Sequence, residues 1–104
     1  MRYNSGMTIK QRAKLWMYPS ETAQWYFISI TEKSADGLRK SQVGKKRTGW
    51  GSIKVRVTVG KSTWDTSVFP EKGSKTYLLP VKASVRKIED ISVGDTVLVQ
   101  LELF

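Results

Sequence analysis

The chain has 104 residues, 39% of them apolar, with four Trp, four Tyr and three Phe, so it can bury one core but not two, and wholesale disorder is excluded. It has no Cys and no His, which removes disulfides, thiolate or imidazole metal sites, Cys and His nucleophiles and imidazole general bases. The net charge of +9 is concentrated in residues 1–50, which hold ten basic and three acidic groups against eight and six in residues 51–104, and such an excess favours an anionic partner.

Residues 1–7 read as a loose leader without the apolar core of a secretion signal, and residues 8–104 as a single domain. No stretch approaches the roughly 20 apolar residues of a membrane helix, so the expectation is a cytoplasmic protein with no membrane association. Residues 8–18 alternate: Ile9, Ala13, Leu15 and Met17 share one parity, with Gln11 as the polar exception. Lys10, Arg12, Lys14, Trp16 and Tyr18 share the other. A period of two predicts a strand with one buried face. Pro19 opens a turn, and "WYFISI" (25–30) predicts a second strand. Ala35 and Leu38, three apart among charges, predict a short helix over 34–41, weakened by Gly37. "VGKKRTGWG" (43–51) is a basic, glycine-rich loop.

"SIKVRVTVG" carries the clearest alternation, with Ile53, Val55, Val57 and Val59 inward and Lys54, Arg56 and Thr58 outward. A tight turn at residues 60–62 returns the chain through 63–69, making a hairpin that ends at Pro70. Residues 77–79 predict a short strand. Pro80 suits the first turn of a helix, and Val81, Val85 and Ile88 would share that helix's inner side. Gly94-Asp95 turns the chain into a last strand, with Val97, Val99, Leu101 and Leu103 inward.

The expectation is a mainly β protein: a small closed or double-split barrel of about six strands with two short helices. The run from Tyr26 to Val57 and the run from Tyr77 to Leu101 each read strand, helix, glycine turn, alternating strand. We read this as an internal repeat related by a rough twofold. One such half leaves an apolar face and open edges. Two halves bury the face and close the sheet within one chain, which makes a monomer the default.

The second copy, with Leu79-Pro80, Arg86 and Gly94-Asp95 before an alternating strand, resembles the half-barrel unit of the AbrB, MazE and MraZ swapped-hairpin DNA-binding proteins. A fuller resemblance covers nearly the whole chain. It rests on Trp25-Tyr26-Phe27, Gly49-Trp50-Gly51-Ser52, Val55 to Gly60, Trp64, Thr66 to Pro70, Tyr77 to Lys82, Val85-Arg86-Lys87 and Gly94 to Val97. In these motifs the chain resembles a bacterial and archaeal family, domain of unknown function 1905. That resemblance implies a double-split β-barrel and no activity. Thr31 departs from it, standing where the family commonly has proline before the first helix.

Two sets of residues are candidates for binding. Lys10, Arg12 and Lys14 beside Trp16 and Tyr18, the loop cations Lys45, Lys46 and Arg47 beside Trp50, and Lys54 and Arg56 combine cations for phosphate with rings for bases. They point to nucleic acid as the partner. The alternative is a small anionic ligand, or an accessory role beside an enzyme, through Trp50, Thr66, Ser67, Lys82 and Arg86. A structural ion pair with Asp90 or Asp95 is the competing role for Arg86. "GKKRTGWGS" has the glycine spacing of a phosphate loop, but Trp50 and Gly51 replace its Lys and Ser/Thr. "GWGSIK" lacks the third glycine of a dinucleotide fingerprint. No catalytic residue, metal or cofactor is expected.

Overall fold

The computed structural model describes residues 8–19, 24–41, 51–71 and 73–103. The expected leader, 1–7, lies outside them. In chain order the elements are β1 (Thr8–Pro19), β2 (Gln24–Ile30), α1 (Glu32–Ser41), β3 (Ile53–Val59), β4 (Ser62–Pro70), β5 (Tyr77–Pro80), α2 (Ala83–Ile88) and β6 (Thr96–Leu103). The strands form a closed barrel in the order β1-β2-β5-β4-β3-β6, and every pairing is antiparallel.

The duplication is visible in the pairings themselves. Exchanging β1 with β4, β2 with β5 and β3 with β6 preserves every strand pairing of the barrel, β2-β5 and β3-β6 mapping onto themselves. The two halves also interlock. Among the described residues β3, from the first half, pairs only with β4 and β6, both from the second. β6 in turn pairs only with β1 and β3. Neither half can satisfy its last strand alone, so closure belongs to the whole chain.

The alternating strands bury the residues that the period of two selects. Val55, Val57, Val99 and Leu101 are fully buried, and Leu103 nearly so. Leu15, Ile28, Ile30, Val68 and Leu79 complete the barrel core, while Ala35 and Leu38 seal it from α1 and Val85 from α2. β1 and β4 are the corner strands. Residues 8–14 of β1 pair with β6 and residues 15–19 with β2. β4 makes the same change, from β3 to β5, at Phe69.

Gln11, the polar residue on the inward parity, is 8% exposed. Its Nε2 donates to the Ser29 carbonyl at 3.1 Å and its Oε1 accepts from the Thr31 N–H at 2.8 Å. The amide thus ties β1 to the chain where β2 gives way to α1, and both backbone groups are satisfied. Thr31 then starts the helix: its Oγ1 accepts from the Ser34 N–H at 3.2 Å and its carbonyl from the Ala35 N–H at 2.8 Å. This hydroxyl cap moves the helix start to Glu32, two residues before the expected Ser34.

The second helix corrects the sequence reading. Pro80 is not in its first turn but closes β5, opposite Phe27, and the next N–H, of Val81, continues the ladder to the Tyr26 carbonyl at 2.9 Å. α2 is six residues long and stops at a left-handed Asp90, φ 54°. The Ile91 N–H bonds the Arg86 carbonyl and the Asp90 N–H bonds the Lys87 carbonyl, the paired bonds of a Schellman stop. The early stop leaves Ile88 71% exposed, and Ile91 packs on the core instead. Among the described residues no helix is long and apolar enough to cross a membrane.

Candidate functional site

The outward side of β1 carries Lys10, Arg12 and Lys14, all exposed, followed on the same parity by Trp16 and Tyr18. At about 3.4 Å per residue, this stripe runs roughly 27 Å along one strand. Its aromatic end continues sideways, because Trp16 lies opposite Phe27, and Tyr18 opposite Trp25. Trp16 is fixed by its Nε1, which donates to the Ser29 Oγ at 3.0 Å, and its ring meets Phe27 at 5.4 Å. Phe27 and Trp25 lie nearly parallel, 12° apart, with centroids 6.5 Å apart. Across β5, Leu78 lies opposite Phe69 of β4. Together these side chains form an open apolar groove of about 420 Å³ lined by Tyr18, Trp25, Phe27, Phe69, Leu78 and Pro80. Tyr18, Trp25 and Phe69 are 56%, 55% and 42% exposed, which is unusual for rings that a core would take.

Trp25, Phe27 and Phe69 are absent from the binding candidates read from sequence, although they fall in the motifs of the family resemblance. Their signal was present in "WYFISI". Once Ile28 and Ile30 take the inward parity, Trp25 and Phe27 must face out.

Lys54 and Arg56 also face out, on β3, separated from β1 by β6. Arg56 is engaged: its Nε and one terminal nitrogen donate to the two Asp65 carboxylate oxygens at 2.8 and 3.3 Å. That fork holds the Asp65 carboxyl below its ordinary range and raises the guanidinium, each chiefly through the shared hydrogen bond. Lys45, Lys46, Arg47 and Trp50 lie outside the described residues.

Of the alternative ligand set, Thr66, Lys82 and Arg86 line one cleft of about 320 Å³, with Gln24, Trp25, Tyr26, Trp64, Asp65 and the turn 80–83. Ser67 lines a neighbouring recess with Lys54, Asp65 and Thr66. Arg86 sits over Tyr26, its guanidinium carbon 3.5 Å from the ring centroid, and its Nε donates to the Val81 carbonyl at 3.3 Å. The competing role for Arg86, an ion pair with Asp90 or Asp95, is not formed among the described residues. Asp90 is the left-handed stop of α2, and Asp95 Oδ2 accepts from the Ser92 N–H at 2.8 Å.

Residues 12–101 match the family described as Domain of unknown function (DUF1905). The chain belongs to that family. The matched span takes in all of β2 to β5, so the aromatic groove and the cleft both fall within the DUF1905 domain; Lys10, at the head of the β1 stripe, precedes it. No curated protein matches the chain.

Proposed function

We propose that this DUF1905 domain is a non-enzymatic nucleic-acid-binding module that takes a single strand along the outer side of β1 and the groove beside it. The observation that carries this reading is that the three exposed cations on the outward parity of β1 lead along that parity to Tyr18, which shares one groove with the exposed rings Trp25 and Phe69. Solubility accounts for cations alone. It does not account for Tyr18, Trp25 and Phe69 in water beside them. Sequence-tolerant single-strand binders combine these two features: cations meet phosphates and rings stack bases. Bases paired in a duplex are not free to lie on such a platform. The resemblance of residues 77–101 to the AbrB-type half-barrel favours nucleic acid as the partner class. The barrel sealed within one chain and the absence of Cys favour a cytoplasmic monomer.

Fluorescence anisotropy with a labelled oligothymidylate and a mixed-sequence RNA, titrated with salt, tests the proposal. Neutralising Lys10, Arg12 and Lys14 together should lower the log–log salt slope by about 2, at ~0.7 per phosphate contact on a single strand. Trp25→Ala should weaken binding by about 1–3 kcal/mol through lost stacking, and Trp25 is too exposed for this to cost the fold much. No binding at micromolar protein and low salt, or a Trp25→Ala variant that binds as wild type, overturns it.

A further inference from the structure

The cleft over α2 differs from the groove in being charged, and the two share Trp25 and Pro80. Arg86 is held there at two points, by the Tyr26 ring and by its Nε bond to Val81. With Nε spoken for, its two terminal nitrogens have no acceptor among the described residues. A guanidinium anchored in this way presents a preorganised fork for a bidentate oxyanion. Lys82 adds an exposed ammonium, and Thr66 a hydroxyl. Lys54 stands across Thr66 in the neighbouring recess. The acid that lines the cleft, Asp65, already has its charge matched by Arg56 at 2.8 Å. The cleft therefore holds two cations with no free acid opposing them. Tyr26 and Trp64 supply aromatic wall beside this charge.

We infer that the cleft binds a phosphomonoester joined to a planar base. Two cations suit a group carrying about −1.5 to −2 better than the single charge of an internal phosphodiester. A volume of about 320 Å³ is near the lower end of ligand pockets, which suits one nucleotide and not a longer segment. This chemistry has two sources, the phosphorylated end of a strand lying in the groove and a free mononucleotide. The strand-end source rests on the single-strand reading above; the mononucleotide source does not.

The test compares oligothymidylates of one length with a 5′-phosphate, a 3′-phosphate or no terminal phosphate by anisotropy. Thymidine monophosphate is titrated separately by NMR, following the Arg86 side chain and the Trp64 indole N–H. The expected result is about tenfold tighter binding of one phosphorylated strand than of the unphosphorylated one, with mononucleotide shifts at Arg86 and Trp64. Arg86→Gln should bring the phosphorylated strand's affinity down to that of the unphosphorylated strand. Lys82→Gln, at an exposed position, should reduce the preference without disturbing the Tyr26 contact. Equal affinity for all three strands, with no mononucleotide shift, overturns the inference and leaves the groove proposal standing. Mononucleotide binding at Arg86 without binding of any strand supports the cleft and overturns the groove.

Discussion

Gln11→Met tests whether the buried amide, and not apolar burial, holds β1 against the start of α1. Methionine nearly matches glutamine in length and shape, so packing is kept while the donor and acceptor are lost. On transfer alone the change should stabilise the protein by roughly 1 kcal/mol, because an apolar side chain replaces a polar one at an 8% exposed position. The hydrogen bonds oppose this. The Ser29 carbonyl loses its 3.1 Å donor and the Thr31 N–H its 2.8 Å acceptor. Each backbone group left without a partner costs about 1–3 kcal/mol where water cannot reach it. The bonds are only partly buried, so we take the lower half of that range. The net expectation is a loss of about 2 kcal/mol, which lowers Tm by roughly 10 °C for a domain of this size. Urea unfolding followed by tryptophan fluorescence reads the change as a lower midpoint at unchanged m. A midpoint equal to wild type or higher would show that water or a neighbouring group satisfies Ser29 and Thr31, and that the amide is dispensable.

Other predictions concern the turn, the core and the surface ion pair. Gly60 has φ +59°, and the Glu89 carboxylate fills the space a Cβ would need while accepting from the Ser62 Oγ at 2.6 Å and the Lys61 N–H at 3.2 Å. Gly60→Ala should therefore cost about 1–2 kcal/mol in backbone strain plus the Glu89 bonds. With Glu89→Ala already made, the second cost should vanish, giving a coupling of about 1 kcal/mol in a double-mutant cycle; strict additivity would refute the contact. Leu101→Ala, fully buried between Ile9 and Val57, should lose about 2–5 kcal/mol in chemical unfolding, whereas Leu98→Ala, half exposed on the same strand, should lose less than about 1 kcal/mol. The Asp65 carboxyl is depressed in the folded state, so its pairing with Arg56 stabilises above the ordinary carboxylate value of about 4 and is lost as pH falls through the lower folded value. The wild-type advantage over Asp65→Asn should be small at pH 6, since the pair is exposed, and should shrink towards pH 3 or in 1 M salt. An advantage unchanged at pH 3 would refute the assignment.

The strands were legible in the sequence because one-face burial writes itself as a period of two. Ile53 to Val59 and Val97 to Leu103 needed no more than that. Gln11 stood out as a breach of the pattern, but its purpose depends on Ser29 and Thr31, about 20 residues away. The helix ends were less legible. A hydroxyl at Thr31 did the work of a helix-starting proline, and a left-handed Asp90 stopped α2 before Ile88 could turn inward. Pro80 misled, since a residue without an N–H suits a first helical turn and the end of a strand equally.

By itself the sequence determined the class of the protein: a β-rich barrel built from two related halves, basic, without Cys or His chemistry. Local periodicity and composition suffice for that, because they depend on each residue's own preference for water or core. Tertiary structure alone decided which outward residues meet. Strand order placed the rings of β1, β2 and β4 with Leu78 and Pro80 of β5 in one groove, and drew Thr66, Lys82 and Arg86 to one cleft. Those meetings join residues far apart in the chain across antiparallel ladders, and a one-dimensional pattern carries no term for the register of one strand against another.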